Sequence, residues 1–434
     1  MTHLVGGSAP DFGGADAAFR GVVTDLLKAD RSEGAQSGAD KVQGGTLEQL
    51  GYSCTIENPR DRIVFGEGYG VDLKVAVARF VWMISGNNRL ADIAFYEPKV
   101  KAFTDDNIIV PGSSYGLRMR QAFPGVDQLR GIITRLKEDR ATRRAAISVY
   151  QPTDATRESR DIPCTFGLMF HSRNDRLVTQ TIMRSNNAWG LLPFNLFEFS
   201  LLAEVVAAEA NLEMGPLLHY AGSMHIYERD VEKARALAAL PASPKLMPMD
   251  AMPRSPQPLQ EIEALVAFEA DLRHGSSSLR ADNVGEWIDR ARSNLSPYWQ
   301  QLAFILVAAV ADRNEDRPAI DKVMNVLNPE YAGIIRFRTT ASDLVSQLVV
   351  PAREPDLFSA GVQTNVVPIT RTRLAGRFLE LASQHEMTTG VPIGAQVLLN
   401  VQARFFDRLA ARGAEEVLSE EEFKAALAEA QHDK

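Results

Sequence analysis

One of the two cysteines in this 434-residue chain, Cys164 in "DIPCTFGLMF", follows a proline and heads an apolar run. A thiol attacks carbon only as thiolate, so a catalytic cysteine needs positive charge close by. Arg184, beside Ser185 in "IMRSNNAWG", supplies that charge if its strand pairs with the one after Cys164. The other reading of Cys164 is a small hydrophobe at the start of a strand. A phosphate-bearing ligand needs converging cations, and arginine forks suit it best. Besides Arg184, "NPRDR" offers Arg60 and Arg62, and "ATRRAAISVY" offers the adjacent Arg143 and Arg144. Taken singly, each of these is equally a solvated face or a surface ion pair. In "GSMHIYERD", His225 and Tyr227 lie two residues apart, so an extended backbone puts both on one side, where they can bind a ligand hydroxyl. No CxxC pair, HExxH or EF-hand loop is present, so no metal site is expected. "GEGYG" lacks the third spaced glycine of a dinucleotide loop and is read as lacking the helix that should follow.

These residues need a scaffold, and the patterning supplies one. After a glycine-rich start, "DAAFRGVVTDLLKAD" has helical spacing, and the polar, glycine-rich segment 31–45 reads as a loop. From about residue 46 to 240 helical and strand-like patterns mix: "KVAVARFVWMISG" and "LFEFSLLAEVVAAEAN" are helical, "RAAISVYQP" and "LMFHS" strand-like. That is a mixed α/β domain. Residues 241–258 are rich in proline and read as a linker, and 259–434 shows helical spacing throughout, so it is expected to be a helical extension.

Composition narrows the class. With 45% hydrophobic and 24% charged residues the chain has material for a large core. A net charge of −8 without a basic block argues against a nucleic-acid or membrane surface. The longest apolar stretch, "LAFILVAAVA", is too short to cross a bilayer. Two cysteines build no disulfide framework and the N-terminus has no leader pattern, so a reduced, cytoplasmic protein is expected.

Set in order, "GSSYGLRMR", "TRRAAISVY", "DIPC", "MRSNNAWGLLPFN" and "GSMHIYERD" resemble the segments that define the thymidylate synthase superfamily, over roughly residues 46–230. The resemblance implies an α+β fold with a mixed sheet, flanking helices and an all-α extension, in a homodimer that packs sheet on sheet and shares its active sites. It implies that Cys164 adds to C6 of a uridylate-type monophosphate, making C5 nucleophilic toward the methylene of methylenetetrahydrofolate, with Tyr115 lining the site. Arg184 and Ser185, with Arg60 or Arg62 and the partner subunit's Arg143 and Arg144, would hold the 5′-phosphate. His225 and Tyr227 would hold the sugar hydroxyl and Asn195 would read the base edge as uracil. Trp82 and Asn187 would meet the folate.

The sequence also departs from the family. Arg79 in "VARFVWMISGNN" stands where the family has its catalytic glutamate, and a guanidinium cannot relay protons. Either Arg79 faces the site, or it forms an ion pair while Glu97 or Glu198 supplies the carboxylate; restoring glutamate at position 79 is then expected to raise one-carbon transfer. Asn187 replaces a folate-contacting aspartate, Thr165 a frequent histidine, and Gly190–Leu191 reverses the usual order. These changes keep open a nucleotide-binding protein without turnover, or thiol-initiated C5 chemistry that needs no folate.

Overall fold

The computed structural model describes residues 10–33, 45–66, 69–121, 123–240 and 248–336. The chain runs β1 (Asp11–Phe12), α1 (Ala15–Leu26), β2 (Arg31–Glu33), β3 (Gly45–Ile56), β4 (Phe65–Gly66), β5 (Tyr69–Gly70), α2 (Leu73–Ser85), α3 (Leu90–Ala94), α4 (Tyr115–Arg120), α5 (Gln128–Glu138) and β6 (Ala146–Ser148). It continues through β7 (Thr165–Arg173), β8 (Arg176–Met183), β9 (Asn186–Asn187), α6 (Leu192–Glu209), β10 (Glu213–Tyr227), α7 (Glu228–Ala238), α8 (Pro258–His274), α9 (Val284–Asn294), α10 (Pro297–Arg313) and α11 (Arg317–Met324).

A mixed sheet forms the centre, in the order β1-β3-β10-β8-β7-β6, with β2 beside β3 and β9 beside β10. The β10–β8 pair is parallel while β3–β10, β8–β7 and β7–β6 are antiparallel. Alternation decides the two faces. Leu168, Phe170, Thr181, Leu217 and His219 are buried on the face that meets α6 and α1. On the other face Met169, Gln180 and Leu218 form one cross-strand row, and Ile182 and Tyr220 another, all left partly or fully exposed.

Two helices carry the site. Asp72 caps α2 by accepting from the Lys74 and Val75 amides, and Gly86 ends it at φ 75°, a left-handed turn that favours glycine. Gly116 lets α4 sit against α2, because a Cβ there would lie 1.6 Å from the Met83 carbonyl oxygen. Helix α6 is apolar almost all round and correspondingly buried along its length. It also buries three glutamates, and each ties down a separate segment. Glu198 takes Arg79, Glu204 takes Arg62 and the Met252 amide, and Glu209 takes the Leu259 amide and Lys137.

Those contacts correct the expected linker. Residues 241–247 lie outside the described residues, but from 248 onward the proline-rich stretch is a strap. Met249 and Met252 are buried, and the Met249 amide donates to the Arg60 carbonyl. The boundary expected at 258 is likewise no break in packing, since α8 and α10 lie on α2 and belong to the compact unit Met1–Ala332. The apolar run 302–311 is the buried face of α10. A second unit spans Gly333–Lys434, of which 333–336 are described, and the helical patterns expected near residues 373–412 lie outside the described residues. The N-terminal segment is more structured than expected: β1 pairs parallel with β3, and β2 lies within the loop expected at 31–45. Gly66, Tyr69 and Gly70 of "GEGYG" belong to the paired strands β4 and β5 and, contrary to the reading above, a helix does follow; strand pairing, not the lack of a helix, separates it from a dinucleotide loop.

Candidate active site

A cleft opens between α2, α6, the turn before α4 and the segment leading into β7. Cys164, Tyr115, Asn195, Trp82 and Arg79 all line it, together with Glu97 and Glu198. The cysteine sits where β7 begins, next to a register shift between Thr165 and Gly167. Bulges of this kind re-aim side chains beside functional sites. Asp161 fixes the approach to it, accepting from the Gly112 and Ser113 amides at 2.7 and 2.6 Å and from the Ser113 hydroxyl at 2.6 Å.

Arg184 closes the other side of the same loop. Its guanidinium donates from Nε to the Pro163 carbonyl and from Nη2 to the Ile162 carbonyl, each at 2.9 Å, and its amide donates to the Cys164 carbonyl at 2.7 Å. The guanidinium is thus fixed on the carbonyls of the two residues that precede Cys164. Cys54, by contrast, is buried on β3 and burial pushes its thiol up to about 12, so it is the inert cysteine of the two. Tyr115 is buried beside Cys164, and burial, reinforced by the cysteine, raises its phenol above the usual range, which keeps its proton in place as a donor.

Arg79 neither leaves the cleft nor stands alone in it. Its Nε donates to Glu198 at 2.5 Å and its Nη1 to Glu97 at 2.9 Å, and its guanidinium lies 5.2 Å from the centre of the Phe194 ring. Burial raises the Glu198 carboxyl above its ordinary value while Arg79 and a hydrogen bond from Asn195 oppose the rise. Arg79 of α2 thus clamps two carboxylates of the cleft wall, one of them on α6.

Other expected residues fall elsewhere. Arg62 is fully buried on Glu204, with its Nε on the Pro59 carbonyl, so its charge is spent inside the protein and it reaches no phosphate in this cleft. Arg60 sits 3.7 Å from the same carboxylate and is not a lining residue. Arg143 and Arg144 are exposed on the turn before the edge strand β6. His225 and Tyr227 do share one side of β10, with ring centres 5.0 Å apart, outside the set that lines the Cys164 cleft. Asn187 accepts from the Gly190 amide at 3.0 Å and also lies outside that set, as does Ser185. Sequence reasoning missed Arg160 in the wall and a buried chain behind Asn195. There His219 bonds Thr181 at 2.7 Å and Asn186 at 2.8 Å, and Asn186 donates to Asn195 at 2.9 Å.

His219 carries a measurable consequence. Burial lowers its pKa from 6.5 to about 4, so the unfolded chain binds the proton more readily than the folded one. The contribution is fully present above pH 6.5 and is lost as pH falls through about 4, amounting to about 3 kcal/mol. Denaturant melts of wild type and His219→Gln across that window are expected to show a shallower acid dependence in the variant.

A mixed sheet flanked by helices, with a cysteine at a bulged strand start and an arginine clamped between two carboxylates beside it, defines the α+β class of this chain and its cleft. The sequence pattern of the thymidylate synthase family matches residues 25–263, more than half of the chain, and the protein belongs to that family. It is 31% identical over 189 residues to a deoxyuridylate hydroxymethyltransferase of Pseudomonas phage M6, covering 43% of this chain and 53% of the relative. It is 28% identical over 187 residues to a deoxyuridylate hydroxymethyltransferase of Bacillus phage SP01, covering 40% and 49%. To a thymidylate synthase of Mycoplasma genitalium it is 34% identical over 124 residues, covering 29% and 42%. The chain spans about half the length of the curated relatives it matches. Among the described residues no helix is long and apolar enough to cross a membrane.

Proposed function

We propose that this protein transfers a one-carbon unit to C5 of a uridine-type monophosphate, with hydroxymethyl as the product. The observation that carries the reading is the single cleft joining Cys164 and Tyr115 to Asn195, Trp82 and two carboxylates held by Arg79. The Cys164 thiolate forms a bond to C6 as the C5–C6 π electrons move toward C5 and O4, and Asn195 donates to the oxygen that gains charge. Glu198, raised by burial and three residues from Asn195 on α6, is the group suited to move protons at that edge. Methylenetetrahydrofolate, when bound, supplies the carbon at the oxidation level of formaldehyde. Its fit rests on the apolar part of the lining, to which Trp82, Ile93, Val100, Phe103 and Val110 belong, and on the Trp82 indole N–H, which is buried without a partner. In that transfer C5 would bond the carbon and give up its proton to a carboxylate of the cleft, the carrier would depart with the electrons of its N–C bond, a water oriented by Glu97 would add to the exocyclic methylene so formed, and expulsion of the thiolate from C6 would regenerate the cysteine.

Phosphate binding falls to Arg184 and Ser185, completed by Arg143 and Arg144 of a second copy. The half-exposed rows Met169–Gln180–Leu218 and Ile182–Tyr220 offer that copy an apolar sheet face next to the edge where both arginines stand. His225 and Tyr227 are proposed for the sugar hydroxyl. Charge-assisted contacts are worth about 1.5–3 kcal/mol, so Arg184→Ala is expected to weaken deoxyuridylate binding roughly ten- to a hundredfold by calorimetry, with deoxyuridine itself little affected. Incubation with deoxyuridylate and methylenetetrahydrofolate is expected to give a product heavier by one CH2O unit in mass spectrometry. A product heavier by CH2 alone would establish methylation instead, and none at all would reject the transfer.

A further inference from the structure

The buried chain behind Asn195 has a direction, and that direction determines what the base meets. The Asn195 side chain stands in the wall of the cleft and turns its amide nitrogen toward it. The Asn195 oxygen is then turned the other way, where it accepts from Asn186 Nδ2 at 2.9 Å. Asn186 is left with its oxygen, which faces His219 Nε2 at 2.8 Å and requires the hydrogen on that nitrogen. The remaining ring nitrogen, Nδ1, accepts from the Thr181 hydroxyl at 2.7 Å. Every link lies inside: Asn186, Asn195, Thr181 and His219 are each at most 2% exposed. Reversing any one of them would set two donors or two acceptors face to face in a dry interior.

Resting on the function proposed above, we infer that His219 and Asn186 are specificity-determining positioning residues. They lock the Asn195 amide so that N–H, rather than C=O, faces the cleft. A donor there pairs with a carbonyl at C4 of a pyrimidine and opposes an amine, so the chain selects uracil over cytosine from two residues that never touch the base. His219 stands beside Thr181 in the parallel register of β10 and β8, and Asn186 lies just beyond β8, so the sheet itself aligns the relay.

The test measures binding of deoxyuridylate and deoxycytidylate to the full chain by calorimetry and reads the ratio of the two affinities. Wild type is expected to favour deoxyuridylate at least about tenfold, one good hydrogen bond's worth of discrimination. In Asn186→Leu, Asn195 is free to turn and the ratio is expected to collapse toward one. In the isosteric Asn186→Asp, the new carboxylate can only accept, so Asn195 turns its N–H inward, shows its oxygen to the cleft and the preference shifts to deoxycytidylate. His219→Gln, which can still donate to Asn186, is expected to keep the wild-type ratio. A merely structural role would weaken both nucleotides together and leave the ratio unchanged, and that outcome in Asn186→Asp overturns the inference while the proposed function stands. Should Asn186→Leu fail to fold, the isosteric variant decides alone. Failure of wild type to bind either nucleotide would remove the proposed function, and this inference with it.

Discussion

Cys164→Ala is expected to release no tritium from C5-labelled deoxyuridylate above background, while wild type releases it in proportion to enzyme. The C5–H bond of a pyrimidine is not labile until a nucleophile has added at C6, and the cleft contains one thiol poised for that addition. The variant removes the nucleophile and little else. Cys164 is only half-buried, so its loss leaves no large cavity, and the loop is held independently by Asp161 and Arg184. Nucleotide affinity in Cys164→Ala is therefore expected to stay within a fewfold of wild type. Exchange that survives in the variant would assign the chemistry to another group.

Arg79→Met is expected to be the most destabilising change in the cleft. It leaves Glu198, only 3% exposed, and Glu97 facing each other without the cation that holds them. Removing one partner of a buried pair costs about 3–5 kcal/mol, because the stranded charge cannot reach water. Without Arg79 to oppose burial, Glu198 takes up a proton more readily, and product formation is expected to fall at least tenfold. Thermal melts and turnover measured on the same preparation check both effects. The structure also reverses the expectation from sequence that glutamate at position 79 would restore activity. A third carboxylate beside Glu97 and Glu198 raises the repulsion instead of supplying a missing group, so Arg79→Glu is expected to be worse than Arg79→Met. The pair Arg79→Glu with Glu198→Ser moves the carboxylate between helices and carries one negative charge fewer than Arg79→Glu alone, so it is expected to recover stability relative to that single variant.

What could be read from sequence followed distance along the chain. Helices α2 and α6 and strands β6 and β7 are visible in the sequence because their apolar residues recur with a fixed period, and that period reports local backbone geometry. Cys164, Tyr115 and Asn195 were legible because each sits in a short segment whose neighbours mark it. Arg60 and Arg62 were misplaced for the opposite reason: "NPRDR" has the composition of a phosphate loop, and only the fold shows Glu204, far along the chain, taking up that charge. Spacing likewise left the partner of Arg79 open between Glu97 and Glu198, and the structure gives it both. His219 and Asn186 drew no attention, since a lone polar residue in a strand carries no signal until its partners on other strands are known. The proline-rich strap misled because proline reports a break in local periodicity and says nothing about whether the next residues bury side chains on the preceding domain.

Attack by Cys164 on C6 is the claim on which the rest depends, and a nucleotide that cannot complete the reaction tests it most directly. With 5-fluorodeoxyuridylate and methylenetetrahydrofolate the fluorine at C5 cannot leave as the proton does, so the adduct formed by thiolate addition persists. Intact-protein mass spectrometry after this incubation is predicted to show the chain carrying the nucleotide covalently, and peptide mapping to place it on Cys164. Unmodified protein under saturating nucleotide, or an adduct on any other residue, would contradict the account.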